Sequence, residues 1–134
     1  MEERKIILGC DDRGDKLENI EKACRNAGAG RGQFWGFMNP QDLLECIRTE
    51  GNILAVITDD RMHIANAPEV GVWARSVVLE ARRRSIPHQL VYSSTQVAGL
   101  PPEVEIIRRT TDPADMEAIQ SWFIRRGVLM KGAA

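Results

Sequence analysis

The stretch 52–63, NILAVITDDRMH, decides how the rest of the chain is read. Residues 53–57 form an unbroken apolar run, rich in β-branched side chains, of strand length and preceded by Gly51. A run without polar alternation suits a strand buried on both faces, as a parallel sheet with helices on each side requires. The run stops at Thr58-Asp59-Asp60, where two carboxylates arrive together. In an open α/β sheet ligands sit outside the carboxyl ends of the strands, so chemistry is expected at this end. A second apolar run, Ile6-Ile7-Leu8-Gly9, also leads into an acid pair, Asp11-Asp12. Two parallel strands that deliver up to four carboxylates to one edge make a strongly negative pocket. Such a pocket either raises carboxylate pKa values or captures a hard divalent cation.

The remaining elements fall around these two strands. Leu17, Ile20, Cys24 and Ala27 recur at helical spacing and predict an amphipathic first helix, ended by Gly28-Ala29-Gly30. Residues 33–38, QFWGFM, read as a second strand interrupted by Gly36, with Phe34 and Trp35 expected in the core. Asn39 is placed to cap a short helix that starts at Pro40 and turns Leu43, Leu44 and Ile47 inward. Residues 61–69 read as a long loop holding His63 and Pro68. Val70, Trp73, Ala74, Val77, Val78 and Ala81 then predict a helix by their spacing. HQLVY at 88–92 is a fourth strand, with Ser93-Ser94-Thr95 at its carboxyl end. The stretch 96–102, with Gly99 and Pro101-Pro102, is too short for a good crossover helix. A fifth strand at 104–107 leads into Arg108-Arg109-Thr110-Thr111. Asp112-Pro113 is placed to cap a last helix with Met116, Ile119, Trp122 and Phe123 inward. The alternation predicts one domain over residues 1–134, an α/β doubly wound five-stranded parallel sheet with a reduced fourth helix.

Composition removes several classes of function. A chain of 134 residues, 43% hydrophobic and 28% charged, is an ordinary globule long enough to bury a core without staples. A net charge of -1 gives no global field for nucleic acid or an anionic membrane, so neither is expected as a partner. Most of the basic residues, some of them in arginine runs at 82–84, 108–109 and 125–126, read as solvated helix faces. Cys10, Cys24 and Cys46 are odd in number and lack CxxC spacing, so they read as small buried apolar residues of a reducing, cytoplasmic compartment. The opening MEERKIIL lacks the apolar stretch of a signal peptide, and nothing approaches membrane-spanning length.

The carboxyl ends of strands one, three, four and five carry Asp11-Asp12, Asp59-Asp60, Ser93-Ser94 and Arg108-Arg109. Acids, hydroxyl and cation on one rim suit a divalent cation and a phosphoryl group, with one carboxylate as nucleophile forming an acyl phosphate. Gly28-Ala29-Gly30-Arg31-Gly32 follows a helix, has the wrong spacing for a dinucleotide fingerprint and reads as a turn. His63, close to the acids, reads as a plain loop histidine, with a base or metal-ligand role as the alternative.

The layout resembles the receiver domain of bacterial two-component response regulators over nearly the whole chain. KIILGCDD is similar to the family's first strand and acidic pair. VITDDRM resembles its third strand, whose phospho-accepting aspartate is followed three residues later by methionine; the matches are Asp59 and Met62. VYSS resembles the fourth strand, which implies Ser93 as a phosphoryl contact. IIRRTTDPADMEAI resembles the fifth strand and last helix, with Arg109 in the place of the family's lysine. Thr110 stands where the family carries proline, His63 replaces another proline, and Ile106 stands where members carry Tyr or Phe.

The resemblance implies a stand-alone, flavodoxin-like signalling domain, not an enzyme. A histidine kinase or phosphotransfer protein would phosphorylate Asp59 with Mg²⁺ as cofactor. Asp12 and Asp59 would ligate the metal directly, Asp11 through water, and the Arg61 carbonyl would add an oxygen; Ser93 and Arg109 would hold the phosphoryl oxygens. Output would pass to a downstream protein partner or a homodimer, using residues 95–102 and the exposed side of the last helix. Two other classes stay open: a non-phosphorylated pseudo-receiver that acts as an interaction module, and a small α/β enzyme using the same carboxylates.

Overall fold

The computed structural model describes residues 5–64 and 69–129. In chain order the elements begin β1 (Ile6–Cys10), α1 (Gly14–Asn26), β2 (Phe34–Phe37), α2 (Pro40–Thr49) and β3 (Ile53–Thr58). They continue β4 (Arg61–His63), β5 (Val70–Val72), α3 (Ala74–Arg83), β6 (His88–Ser93), β7 (Glu105–Arg108) and α4 (Asp112–Arg125). Five strands form one parallel sheet in the order β2-β1-β3-β6-β7. The order reverses between β1 and β3, so the crevice at their carboxyl ends is the topological switch point where such sheets bind ligands.

Both faces of the central strands are buried, which is why their sequences are continuously apolar. On one face Ile7, Ile57 and Leu90 pack under α1 and α4, with Ile20, Cys24, Ile119, Trp122 and Phe123. On the other, Leu8, Cys10 and Val56 pack under α2 and α3, with Leu43, Ile47, Val77 and Ala81. Trp122 and Phe123 are fully buried and meet edge to face at 5.2 Å. Aromatic side chains of this size bury the largest apolar areas and dominate core energetics. Asn39 caps α2 as its sequence predicts, its side chain accepting the Gln41 N–H.

Several expectations are corrected. The stretch 61–69 is not simply a loop: β4 and β5 pair antiparallel as a short hairpin that stands off the main sheet. Helix α3 accordingly starts at Ala74, four residues later than the spacing of Val70 suggests. The reason is Asp60, whose backbone oxygen accepts the Trp73 N–H and whose carboxylate accepts the Ala74 N–H. These bonds fix the first turn, so the residues before it are free to pair as a strand. Gly71 is needed there, because a Cβ would meet the Trp73 indole nitrogen at 2.7 Å. Pro68 lies outside the described residues.

Trp35 is exposed, since β2 is an edge strand, and its indole donates to the Gly32 oxygen. Cys46 is half-buried, while Cys10 and Cys24 are buried. Asp112 does not cap α4; its carboxylate accepts from Lys16 and Asn19 of α1 instead. No helix joins β6 to β7 among the described residues. Val97, Leu100 and Val104 of this connection pack on Ala74, Val78 and Val91, so the strap itself covers the sheet beside α3. The apolar residues of the expected partner surface at 95–102 are therefore half-buried against the sheet, and a charge at 97 or 100 would disturb this packing.

Candidate functional site

The site is built from groups that continue the strand ladders past the strand ends. The Asp11 N–H donates to Phe37, the Asp59 N–H to Cys10 and the Arg109 N–H to Ser93, all through backbone oxygens. Side chains fixed to a sheet in this way are held more rigidly than loop side chains. Asp11 and Asp59 are buried, and Asp12 is partly open. Carboxylate oxygens of Asp11, Asp12 and Asp59 lie within 4.8 Å of one another. Asp12 and Asp59 border a cleft of about 470 Å³ whose lining includes Arg61, His63, Ser94 and Arg109. A cleft of similar size, about 490 Å³, lies at the amino ends of the strands among Lys5, Arg48, Glu50 and Arg84, away from the acids.

Arg109 is the cation of the site. Its Nη2 contacts the Asp11 carboxylate, lies 3.1 Å from Asp59 Oδ2 and donates to the Tyr92 backbone oxygen at 3.3 Å. The guanidinium also stacks 4.6 Å over the Tyr92 ring. Its buried Nε–H has no partner among the described residues. The remaining oxygens of the two acids take backbone donors: Asp11 accepts from Arg13 and Asp59 from Asp60. The buried Ser93 hydroxyl lowers the Asp59 carboxyl pKa and accepts the Thr95 N–H at 3.2 Å. Asp12 is held from the other side, its Oδ2 accepting from His63 through the backbone N–H at 2.8 Å and ring Nδ1 at 3.0 Å.

The neighbouring acids Asp59 and Asp60 have separate duties. Both are buried, but Asp59 turns into the carboxylate cluster while Asp60 turns away to cap α3. Met62, fully buried, anchors the root of the hairpin and accepts from the Cys10 thiol at 3.6 Å. Arg61 is exposed on β4 and reaches the cleft wall. Two participants gave no signal in the sequence. Tyr92 carries the guanidinium on its ring, and its hydroxyl donates to Asp115 at 2.7 Å. Asp115 also accepts the Thr110 N–H and hydroxyl, fixing the chain just after Arg109. The helix begins at Asp112 with Thr111 before it, so Asp115 stands one residue beyond the capping-box position and escapes that pattern.

Three carboxylates against one guanidinium leave an excess of negative charge in a buried place. Burial pushes the Asp11 carboxyl up to about 7, with Asp59 and Asp12 adding to the rise and the Arg13 N–H and Arg109 opposing it. Burial also raises Asp59, against the opposing pull of Arg109, the Asp60 N–H and Ser93. A hard divalent cation would cancel the surplus, and carboxylate oxygens are the donors it prefers. Each engaged oxygen keeps a second lone pair, so the residues present fit such a cation.

A pH dependence follows. Asp11 titrates near 3.8 when unfolded and near 7 when folded, so its contribution to stability is greatest below 3.8 and is lost as pH rises through 7. Measured by urea denaturation without metal, wild type should lose stability relative to Asp11→Asn across that window, by at most a few kcal/mol. A difference that stays flat with pH would mean that Asp11 ionises like a solvent-exposed carboxylate.

No protein-family model matches the chain, and no curated protein matches its sequence. Solved structures do match. A response regulator receiver protein from Sinorhizobium medicae superposes with a TM-score of 0.65 at 17% identity, covering 89% of this chain and 96% of that one. The phosphorylated cyanobacterial phytochrome response regulator RcpA gives 0.64 at 13% identity, over 91% and 93% of the two chains. A de novo designed protein of Rossmann fold gives 0.59 at 14% identity, over 91% and 90%. The chain thus has the receiver-like α/β fold, and the match to a designed Rossmann-fold protein shows that the likeness speaks for architecture alone.

Proposed function

We propose that the chain is a receiver-like signalling domain in which Asp59 accepts a phosphoryl group, with Mg²⁺, from a histidine kinase or phosphotransfer protein. Output would then pass to a protein partner. The observation that carries this reading is the meeting of Asp11, Asp12 and Asp59 with Arg109 and Ser93 at the switch point of a receiver fold. No described helix is long and apolar enough to cross a membrane.

In this reading Asp12 and Asp59 would hold Mg²⁺ directly, Asp11 would act through water, and the Arg61 carbonyl would add an oxygen. The bound ion supplies charge neutralisation at the phosphoryl oxygens. Asp59 attacks the donor's phosphorus in line; its oxygen–phosphorus bond forms as the donor's bond breaks, leaving an acyl phosphate. Ser93 donates its hydroxyl to a phosphoryl oxygen. Arg109 neutralises the charge, and its unpaired Nε–H is a donor suited to the same oxygens.

A second reading has its own support. Both Asp59 oxygens already have partners, Arg109 on one and the Asp60 N–H on the other, as a pseudo-receiver with a closed pocket would have. Incubation with acetyl phosphate and Mg²⁺, followed by intact-mass measurement, separates the two. Wild type and Asp60→Asn should gain one phosphoryl group, and Asp59→Asn should gain none. An inert wild type with a reactive Arg109→Lys means that the arginine locks the pocket. If neither reacts, Asp59 is not an acceptor and the interaction-module reading stands.

A further inference from the structure

We infer that His63 is the positioning residue for Asp12, and that through it the β4–β5 hairpin is coupled to occupancy of the acid cluster. This rests on the reading of the cluster as a divalent-cation site. Asp11 and Asp59 are each held by a backbone N–H and by Arg109. Asp12 is held differently. Its hydrogen bonds among the described residues come from His63 alone, and both fall on Oδ2. Facing a carboxylate, the ring Nδ1 donates, so two donors fix the rotation of Asp12 and leave Oδ1 free of them. Partners that orient a metal-ligating group in this way tune its affinity strongly.

His63 cannot shift alone. It ends β4, which pairs residue by residue with β5: Arg61 with Val72, Met62 with Gly71, His63 with Val70. The root of this hairpin is pinned by buried Met62 and by the Trp73 indole, which donates to the Met62 oxygen at 3.2 Å. Trp73 packs across Gly71, and its own N–H is tied to Asp60 beside Asp59. The hairpin is therefore a short lever with one fixed end and one end resting on a candidate ligand. Its outer strand carries Val70 and Val72, both exposed, so a movement of the lever repositions an apolar surface. Coupling of this kind is reciprocal: if the ion fixes Asp12 it steadies the hairpin, and loss of the hairpin contact weakens the ion.

The alternative is that His63–Asp12 is an exposed pair with no consequence, as many surface pairs are. Calorimetric Mg²⁺ titration of wild type, His63→Ala and His63→Asn decides, with the Trp73 indole N–H resonance followed in parallel. His63→Ala should weaken Mg²⁺ by about 10–100-fold. His63→Asn, which retains a donor near the Nδ1 position, should recover most of the loss. The Trp73 resonance should move with the calorimetric midpoint in wild type and much less in His63→Ala. Unchanged Mg²⁺ affinity in His63→Ala, or a Trp73 signal indifferent to Mg²⁺ in wild type, overturns the inference while the cation site stands. Absence of Mg²⁺ binding in wild type overturns the cation reading and this inference with it.

Discussion

Arg109→Met should lower the unfolding free energy by about 3–5 kcal/mol at mildly alkaline pH, the usual result of removing one partner from a buried ionic group. Arg109 is 9% exposed, and its Nη2 serves both Asp11 and Asp59. Methionine fills much of the same volume, so packing loss is small and the deficit comes from two carboxylates left facing each other. The size of the loss should depend on pH. In acid the raised carboxyls of Asp11 and Asp59 take up protons and the repulsion disappears, so the variant approaches wild type there. Two additions should restore stability in alkali: Mg²⁺, and Asp11→Asn in the same background. Urea denaturation at several pH values measures all of this. An Arg109→Met protein as stable as wild type in alkali would show that the guanidinium does not balance the cluster.

The fold was legible because its strongest signals are local. Continuous apolar runs at 6–9 and 53–57, of strand length and rich in β-branched residues, suit strands covered on both sides, and the acids that end them mark the functional edge. The receiver resemblance, carried by short motifs at those same strand ends, agrees with the architecture observed. The hairpin was not legible. Val70 and Trp73 are three apart and apolar, which periodicity reads as a helix face; a side-chain bond from Asp60, fourteen residues before Ala74, sets the helix start instead. Trp35 misled in a similar way, because an aromatic on a strand says nothing of whether that strand is central or at the edge. Within the site, the acids and Arg109 are visible as types at strand ends. What holds them is not: His63 meets Asp12 across fifty-one residues and Tyr92 meets Asp115 across twenty-three. Such contacts arise from topology and have no periodic trace.

Asp115→Ala is expected to be among the most destabilising substitutions in the chain outside the apolar core, by about 3–5 kcal/mol. The carboxylate is 1% exposed and accepts three hydrogen bonds, from the Tyr92 hydroxyl, the Thr110 N–H and the Thr110 hydroxyl. Alanine removes the acceptor but leaves the Tyr92 hydroxyl and Thr110 N–H in place, and unmet buried donors cost about 1–3 kcal/mol each. Tyr92→Phe removes the donor to Asp115 Oδ2 but leaves both Thr110 bonds on Oδ1 intact, so on its own it should cost less, about 1–2 kcal/mol. In the double variant the Ala penalty should shrink, because the orphaned hydroxyl is gone; a double-mutant cycle by urea denaturation reads that coupling directly. Asp115→Asn should fall between, since its oxygen still accepts from Thr110 while its amide forces the Tyr92 hydroxyl to accept rather than donate. The network ends at the site, because the Tyr92 ring lies under the Arg109 guanidinium. Asp115→Ala should therefore also loosen Arg109, visible as a changed guanidinium N–H resonance, whereas an equally destabilising cut at Phe123 in the core should leave that resonance where it is. Strict additivity in the cycle, together with an unmoved Arg109 signal, would reduce Asp115 to a local brace for the start of α4.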